Sequence, residues 1–149
     1  MIDYNKYMKH TLEQAKKAYE LDEVPIGSII IYNDNIIAEA FNSRNMFKNS
    51  LYHAEILAIN KACKFLNDWR LEGCSIFVTI EPCAMCAGAI LQSRIKRLVY
   101  GAKNPKAGSV DSIVNILQNN SYNHNVDIIS GIMEDECSEI MKNFFKRLR

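Results

Sequence analysis

A chain of 149 residues, 48% hydrophobic and 23% charged, has the size and apolar content of one globular domain with its own core, spanning residues 1–149. Eighteen basic against seventeen acidic residues leave a formal charge of +1, so a polyanionic partner must be met by a local patch and not by the field of the whole molecule. No run approaches the roughly 18 apolar residues of a membrane span, and Met1-Ile2-Asp3-Tyr4-Asn5-Lys6 carries charges where a secretory leader is apolar, which predicts a soluble cytoplasmic protein with no membrane partner.

Asp3 is placed to cap a helix in which Met8, Leu12, Ala15 and Tyr19 trace one apolar stripe and which ends near Leu21. Residues 24–32 are rich in β-branched side chains, Asn33-Asp34-Asn35 is a turn cluster, and residues 36–41 resume an apolar strand pattern; together they predict a β-hairpin. From 53 to 66 the apolar residues wrap most of the way round a second helix, as expected of one buried on more than one side. Residues 76–80 make a short buried strand. Pro82 suits the start of a helix continued by residues 84–91, because the N–H it lacks is one that a first turn leaves unpaired. Residues 97–100 form a fourth strand closed by Gly101. After a polar loop holding Pro105 and Gly108, residues 126–129 form a fifth strand and 134–148 a closing helix. Helices alternating with strands in this way predict a three-layer α/β sandwich.

The five cysteines (Cys63, Cys74, Cys83, Cys86 and Cys137) are an odd, scattered set, unlike the even disulfide framework of a small secreted scaffold; reduced thiols or a metal fit them better. Two of them lie in Glu81-Pro82-Cys83-Ala84-Met85-Cys86. In a helix opened by Pro82 they stand one turn apart at its N-terminal end, where unpaired N–H groups and the helix dipole favour thiolate, the form that binds metal or attacks a disulfide. The pair alone fits a metal, a redox centre or two core cysteines. Tyr52-His53-Ala54-Glu55 tips the balance toward metal, since His53, one of three histidines, opens the second helix and Glu55 can lean past the same helix end. Three protein ligands leave zinc's fourth position for water, the arrangement of a catalytic site.

His53-Ala54-Glu55 followed by Pro82-Cys83-Ala84-Met85-Cys86 resembles the H-x-E…P-C-x-x-C signature of the zinc-dependent nucleoside and nucleobase deaminases. Glu23-Val24-Pro25-Ile26-Gly27, Asn42, residues 78–95, Gly101-Ala102-Lys103 and Phe144-Phe145-Lys146-Arg147 are similar to the bacterial tRNA-specific adenosine deaminases, a likeness running from about Leu12 to the C-terminus. The resemblance implies a cytidine-deaminase-like α/β/α sandwich with a central mixed five-stranded sheet and helices on both faces. It implies one Zn²⁺ held by His53, Cys83 and Cys86, with Glu55 as proton shuttle while zinc-activated hydroxide attacks C6 of adenosine. The substrate implied is the wobble adenosine of a tRNA anticodon stem-loop, of arginine tRNA, and the assembly implied is a homodimer. Asn42 would hydrogen-bond the adenosine, with Ile26 and the backbone near Ala54 walling the base. Lys103, Asn104, Lys106, Asn123 and the tail 142–149 would meet phosphates, with Phe145 free to stack a base and Phe144 reading as a core contact.

Two stretches depart from the family's pattern. Asn49-Ser50-Leu51-Tyr52 stands where relatives have Asp-Pro-Thr-Ala or similar, at the rim of the pocket. Asn104 stands where they commonly carry aspartate, removing a carboxylate that would repel phosphate and could accept a ribose hydroxyl; looser selectivity for RNA over DNA follows as an expectation. Rival readings stay distinct: a guanine or cytosine deaminase uses nearly the same residues on a free base, a thiol-disulfide oxidoreductase would need neither His53 nor Glu55, and an RNA-binding zinc module would keep metal and RNA affinity after Glu55→Ala.

Overall fold

The computed structural model describes residues 1–149. Helix α1 (Tyr4–Glu20) is capped as expected, the Asp3 carboxylate accepting the Lys6 N–H at 3.1 Å. Its buried face is Tyr7, Met8, Thr11, Leu12, Gln14, Ala15 and Ala18, with Tyr19 half-buried at the edge of the stripe. Strands β1 (Gly27–Tyr32) and β2 (Asn35–Phe41) form the predicted hairpin, Asn33 and Asp34 both taking the left-handed backbone that a two-residue turn demands. The first strand starts three residues later than its β-branched run suggests. Val24 is occupied otherwise: its carbonyl accepts the Ile26 N–H and the Asn42 side-chain amide, so residues 24–26 form a turn.

Helix α2 (Ala54–Leu66), strand β3 (Ser75–Ile80), helix α3 (Ala84–Gln92), strand β4 (Arg97–Ala102), strand β5 (Asp127–Ile129) and helix α4 (Glu134–Arg147) follow. Helix α3 corrects one expectation. It starts at Ala84 with Cys83 as N-cap, so Pro82 lies outside the helix and Cys83 projects from its rim, not from its first turn. Strand β4 runs two residues past the expected end. Gly101 permits this, because a Cβ there would collide with the Cys137 side chain and the Thr79 carbonyl.

The strands lie in the order β2-β1-β3-β4-β5, antiparallel from β2 to β3 and parallel from β3 to β5, which is the mixed five-stranded sheet expected. Alternate residues divide two cores. Ile30, Ile76, Val78, Leu98 and Tyr100 pack with Ala58, Ile59 and Ala62 of α2 and Ala87, Ile90 and Leu91 of α3. Ile29, Ile31, Phe77 and Val99 pack with Tyr7, Met8 and Leu12 of α1 and Cys137 of α4 on the other face. Because β3 and β4 are parallel, α3 must cross between them, which sets its N-terminus at the carboxyl end of β3.

Candidate metal centre and active site

Helices α2 and α3 direct their N-termini at one place. His53 is the N-cap of α2 and Cys83 the N-cap of α3, both with extended backbone, and neither side chain caps its own helix. Both are free to turn toward each other. His53 Nδ1 lies 3.7 Å from Cys83 Sγ and 3.6 Å from Cys86 Sγ, and the three donor atoms all lie within 4.8 Å of one another. A tetrahedral zinc site, with Zn–S of ~2.3 Å and Zn–N of ~2.0 Å, has S···N edges of about 3.5 Å, so both S···N distances here match those of the ion's coordination shell. The cluster has three donors, one short of a closed structural site.

The electrostatics agree with that chemistry. The Cys83 thiol is pulled down to about 4, first by the hydrogen bond from Cys86 and next, against the cost of burial, by His53. Cys86 is driven up, chiefly by donating that bond to Cys83 and then by burial. Without a cation, then, the pair holds one thiolate and one proton; a divalent ion would release the second proton. Glu55, in the first turn of α2 and 4% exposed, is pushed up to about 7 by burial, which outweighs its own backbone N–H. A carboxyl balanced near neutrality can both take and give a proton.

Next to the cluster is a cavity of about 110 Å³ lined by Val24, Ile26, Asn42, Arg44, His53, Ala54 and Glu55. Asn42, Ile26 and Ala54 are thus brought together with Glu55. Asn42 already has two bonds, its amide donating to the Val24 carbonyl at 3.2 Å and its Oδ1 accepting the Arg44 N–H at 3.2 Å, so it shapes the cavity as well as facing it. The divergent stretch at the rim is tied down at its end: the Tyr52 carbonyl accepts the Ser43 N–H and the Tyr52 ring packs on Phe47 at 5.3 Å.

Lys103, Asn104, Lys106, Asn123 and Phe145 lie outside the cavity lining. Lys103, Lys106 and Asn123 are exposed, while Asn104 is half-buried, its Oδ1 accepting the Ala107 N–H at 3.2 Å. Phe144 is core, 2% exposed, and Phe145 stands edge-on to it with 43% exposure. The tail needs one correction. Arg147 donates to the Tyr19 carbonyl and to Asp22 and covers the Tyr19 ring at 4.1 Å, so it pins α4 to the end of α1 and is not a free phosphate contact.

Three residues beside the site have no assigned role in the sequence reading: Arg44, Glu23 and Glu81. The signal for the carboxylates was available, since an acid set at the end of an apolar strand must be hydrogen-bonded if buried. Glu81, 2% exposed, accepts the N–H groups of Asn104, Val110, Asp111 and Ser112 and the Ser112 hydroxyl, thereby folding the loop after β4 against the start of α3. Gly108 lies so close that any Cβ would strike this carboxylate. Burial pushes the Glu81 pKa up, but the Ser112, Asp111 and Asn104 bonds outweigh it and hold it at about 2. A depressed carboxyl stabilises the fold fully above pH 4.5 and loses that contribution as pH falls toward 2. Glu81→Gln is therefore expected to destabilise the protein by about 3 kcal/mol at pH 7, with the difference from wild type vanishing near pH 2 in urea melts; a pH-independent difference would contradict it.

No helix is long and apolar enough to cross a membrane. The sequence model of the MafB19-like deaminases matches residues 2–149. The tRNA-specific adenosine deaminase of Bacillus subtilis is 47% identical over 143 residues, 96% of this chain and 89% of that protein. A solved structure from work on A-to-I editing by tRNA:A34 deaminases at the wobble position of transfer RNA superposes with a TM-score of 0.87 at 41% identity, covering 91% of this chain and 98% of that one. Guanine deaminase from Bacillus subtilis superposes with a TM-score of 0.65 at 33% identity over 68% of this chain and 66% of its own. On the near full-length matches to the Bacillus subtilis adenosine deaminase and to the tRNA:A34 deaminase structure, with the donor cluster in place, the chain belongs to the tRNA-specific adenosine deaminase family.

Proposed function

We propose that this protein, acting as one deaminase domain with one zinc per chain, hydrolyses adenosine to inosine and ammonia at the wobble position of a tRNA anticodon loop, with arginine tRNA as its substrate. The observation that carries the reading is the three-donor cluster beside a cavity lined by a buried carboxyl, Glu55, balanced near pH 7. The names of the relatives supply the substrate class.

His53, Cys83 and Cys86 would hold the ion, which when bound supplies Lewis acidity that makes water a nucleophile at neutral pH. Glu55 takes one proton of the attacking water and hands it to N1 of the purine as C6 becomes tetrahedral; it then takes the second, from the hydroxyl now on C6, and delivers it to the departing amine, which leaves as ammonia while C6 becomes the carbonyl of inosine. Ile26 and Ala54 hold the ring by its faces, and Asn42 orients it. A cavity of about 110 Å³ is small beside the ~300 Å³ at which drug-sized pockets begin, so it admits a base and leaves the sugar and phosphates outside. Such a base must be turned out of its stack, which is cheapest in a single-stranded loop. Lys103, Asn104, Lys106, Asn123 and Phe145 would meet the rest of the loop, in a cytoplasmic homodimer. The likeness to a guanine deaminase supports a second reading, deamination of a free base by the same groups.

Treating a tRNA pool with the enzyme and sequencing its cDNA is expected to show adenine-to-guanine changes confined to the wobble position of arginine tRNA. Ammonia release from free guanine or cytosine with no such change would replace this reading with the second.

A further inference from the structure

One cation stands at the mouth of the cavity, and the roles given above leave it idle. Arg44 lines the cavity with His53 and Glu55, is exposed, and takes part in none of the ion pairs of the fold. Its backbone, by contrast, is held on every side. The Arg44 N–H donates to Asn42 Oδ1, the Ser43 N–H to the Tyr52 carbonyl, and the N–H groups of Asn45 and Met46 to the two oxygens of Glu23 at 3.0 and 2.6 Å. Glu23 is 1% exposed, and the bonds its carboxylate accepts come from this turn alone. Burying a carboxylate is costly, and what this one secures is the point from which residue 44 projects.

The size of the cavity places the substrate's sugar and phosphates at that same mouth. A guanidinium there that forms no ion pair within the fold offers a planar fork of donors suited to phosphate oxygens. We propose that Arg44 binds a phosphodiester flanking the reacting nucleotide and that Glu23 is the residue that positions it. The inference rests on the RNA-loop reading of the substrate, because a free base has no phosphate for Arg44 to hold.

The test uses an anticodon stem-loop RNA in which each linkage flanking the target adenosine is replaced, one at a time, by a neutral methylphosphonate. With the unmodified RNA, Arg44→Ala is expected to raise KM about tenfold, with the loss falling on KM and not on kcat, and to flatten the slope of log affinity against log salt by about 0.7 to 1. With the linkage that Arg44 contacts neutralised, wild type should lose the same factor and Arg44→Ala should lose nothing more. Arg44→Lys should recover part of the affinity, and Glu23→Gln should raise KM while zinc content stays at wild-type level. Arg44 is exposed and belongs to neither apolar core, so loss of folding does not confuse its result. An unchanged KM and salt slope for Arg44→Ala, or losses that simply multiply on both neutralised substrates, would mark Arg44 as a solvated surface arginine and overturn the inference alone. If wild type forms no inosine in the unmodified RNA, the substrate reading falls and takes the inference with it.

Discussion

Replacing Glu55 by glutamine is expected to slow deamination by roughly 10²–10⁴-fold, the usual worth of a general acid–base group, with zinc remaining at one equivalent per chain. The side chain lies in the cavity but outside the donor cluster, so the metal should not depend on it. The same substitution has a stability signature of opposite sign. Burial raises the Glu55 pKa from 4.5 to about 7 in the metal-free protein, so its ionised form works against folding. That penalty is absent below pH 4.5 and grows as pH rises through 7, reaching about 3 kcal/mol above it. In chelator-treated samples, Glu55→Gln should therefore melt higher than wild type at pH 8 and alike at pH 4. A variant that kept activity within tenfold of wild type would remove Glu55 from the chemistry.

Stripping the metal should have the broader effect, on both activity and stability. Cys86 is fully buried and Cys83 half-buried, and in the absence of a cation they must share a proton beside the imidazole. Ion binding to the folded state alone, at a free concentration of ~1,000 Kd, adds about 4 kcal/mol. For a chain of this length that is a shift in Tm on the order of 10 °C. Chelation should abolish turnover and lower Tm by that amount, and zinc should restore both. Cys86→Ser or His53→Ala should leave well under one equivalent of zinc by atomic emission, together with the melting temperature of the chelated protein. Full zinc occupancy in either variant would mean that the ion binds elsewhere.

The sequence alone carried the order of elements, because each depends on local chemistry: the Asp3 cap, the Asn33-Asp34 turn, the all-round apolar pattern of α2 and the β-branched strands are legible in windows of a few residues. It also carried His53, Cys83 and Cys86, which the fold brings within 4.8 Å of one another, and Glu55, which lines the cavity beside them, since metal chemistry tolerates few residue types and the spacing within each half of the site is local. Its errors came at boundaries. Whether Pro82 opened α3 or preceded it depended on how the end of β3 enters the helix, a matter of a strand on one side and a loop on the other.

Only the tertiary structure decided that the two halves, thirty residues apart, meet with sulfur and nitrogen 3.6 to 3.7 Å apart, because that distance is set by the parallel pairing of β3 with β4 and by α2 packing on the same face as α3. It alone showed Glu23 and Glu81 as the anchors of the two loops at the site, Arg147 as a clasp on α1, and Arg44 at the mouth of the cavity. The physical reason is common to all four. A charged side chain looks the same in the sequence whether it is solvated, clasped or holding a loop, and which of these it does depends on partners that folding brings from 22 to 128 residues away.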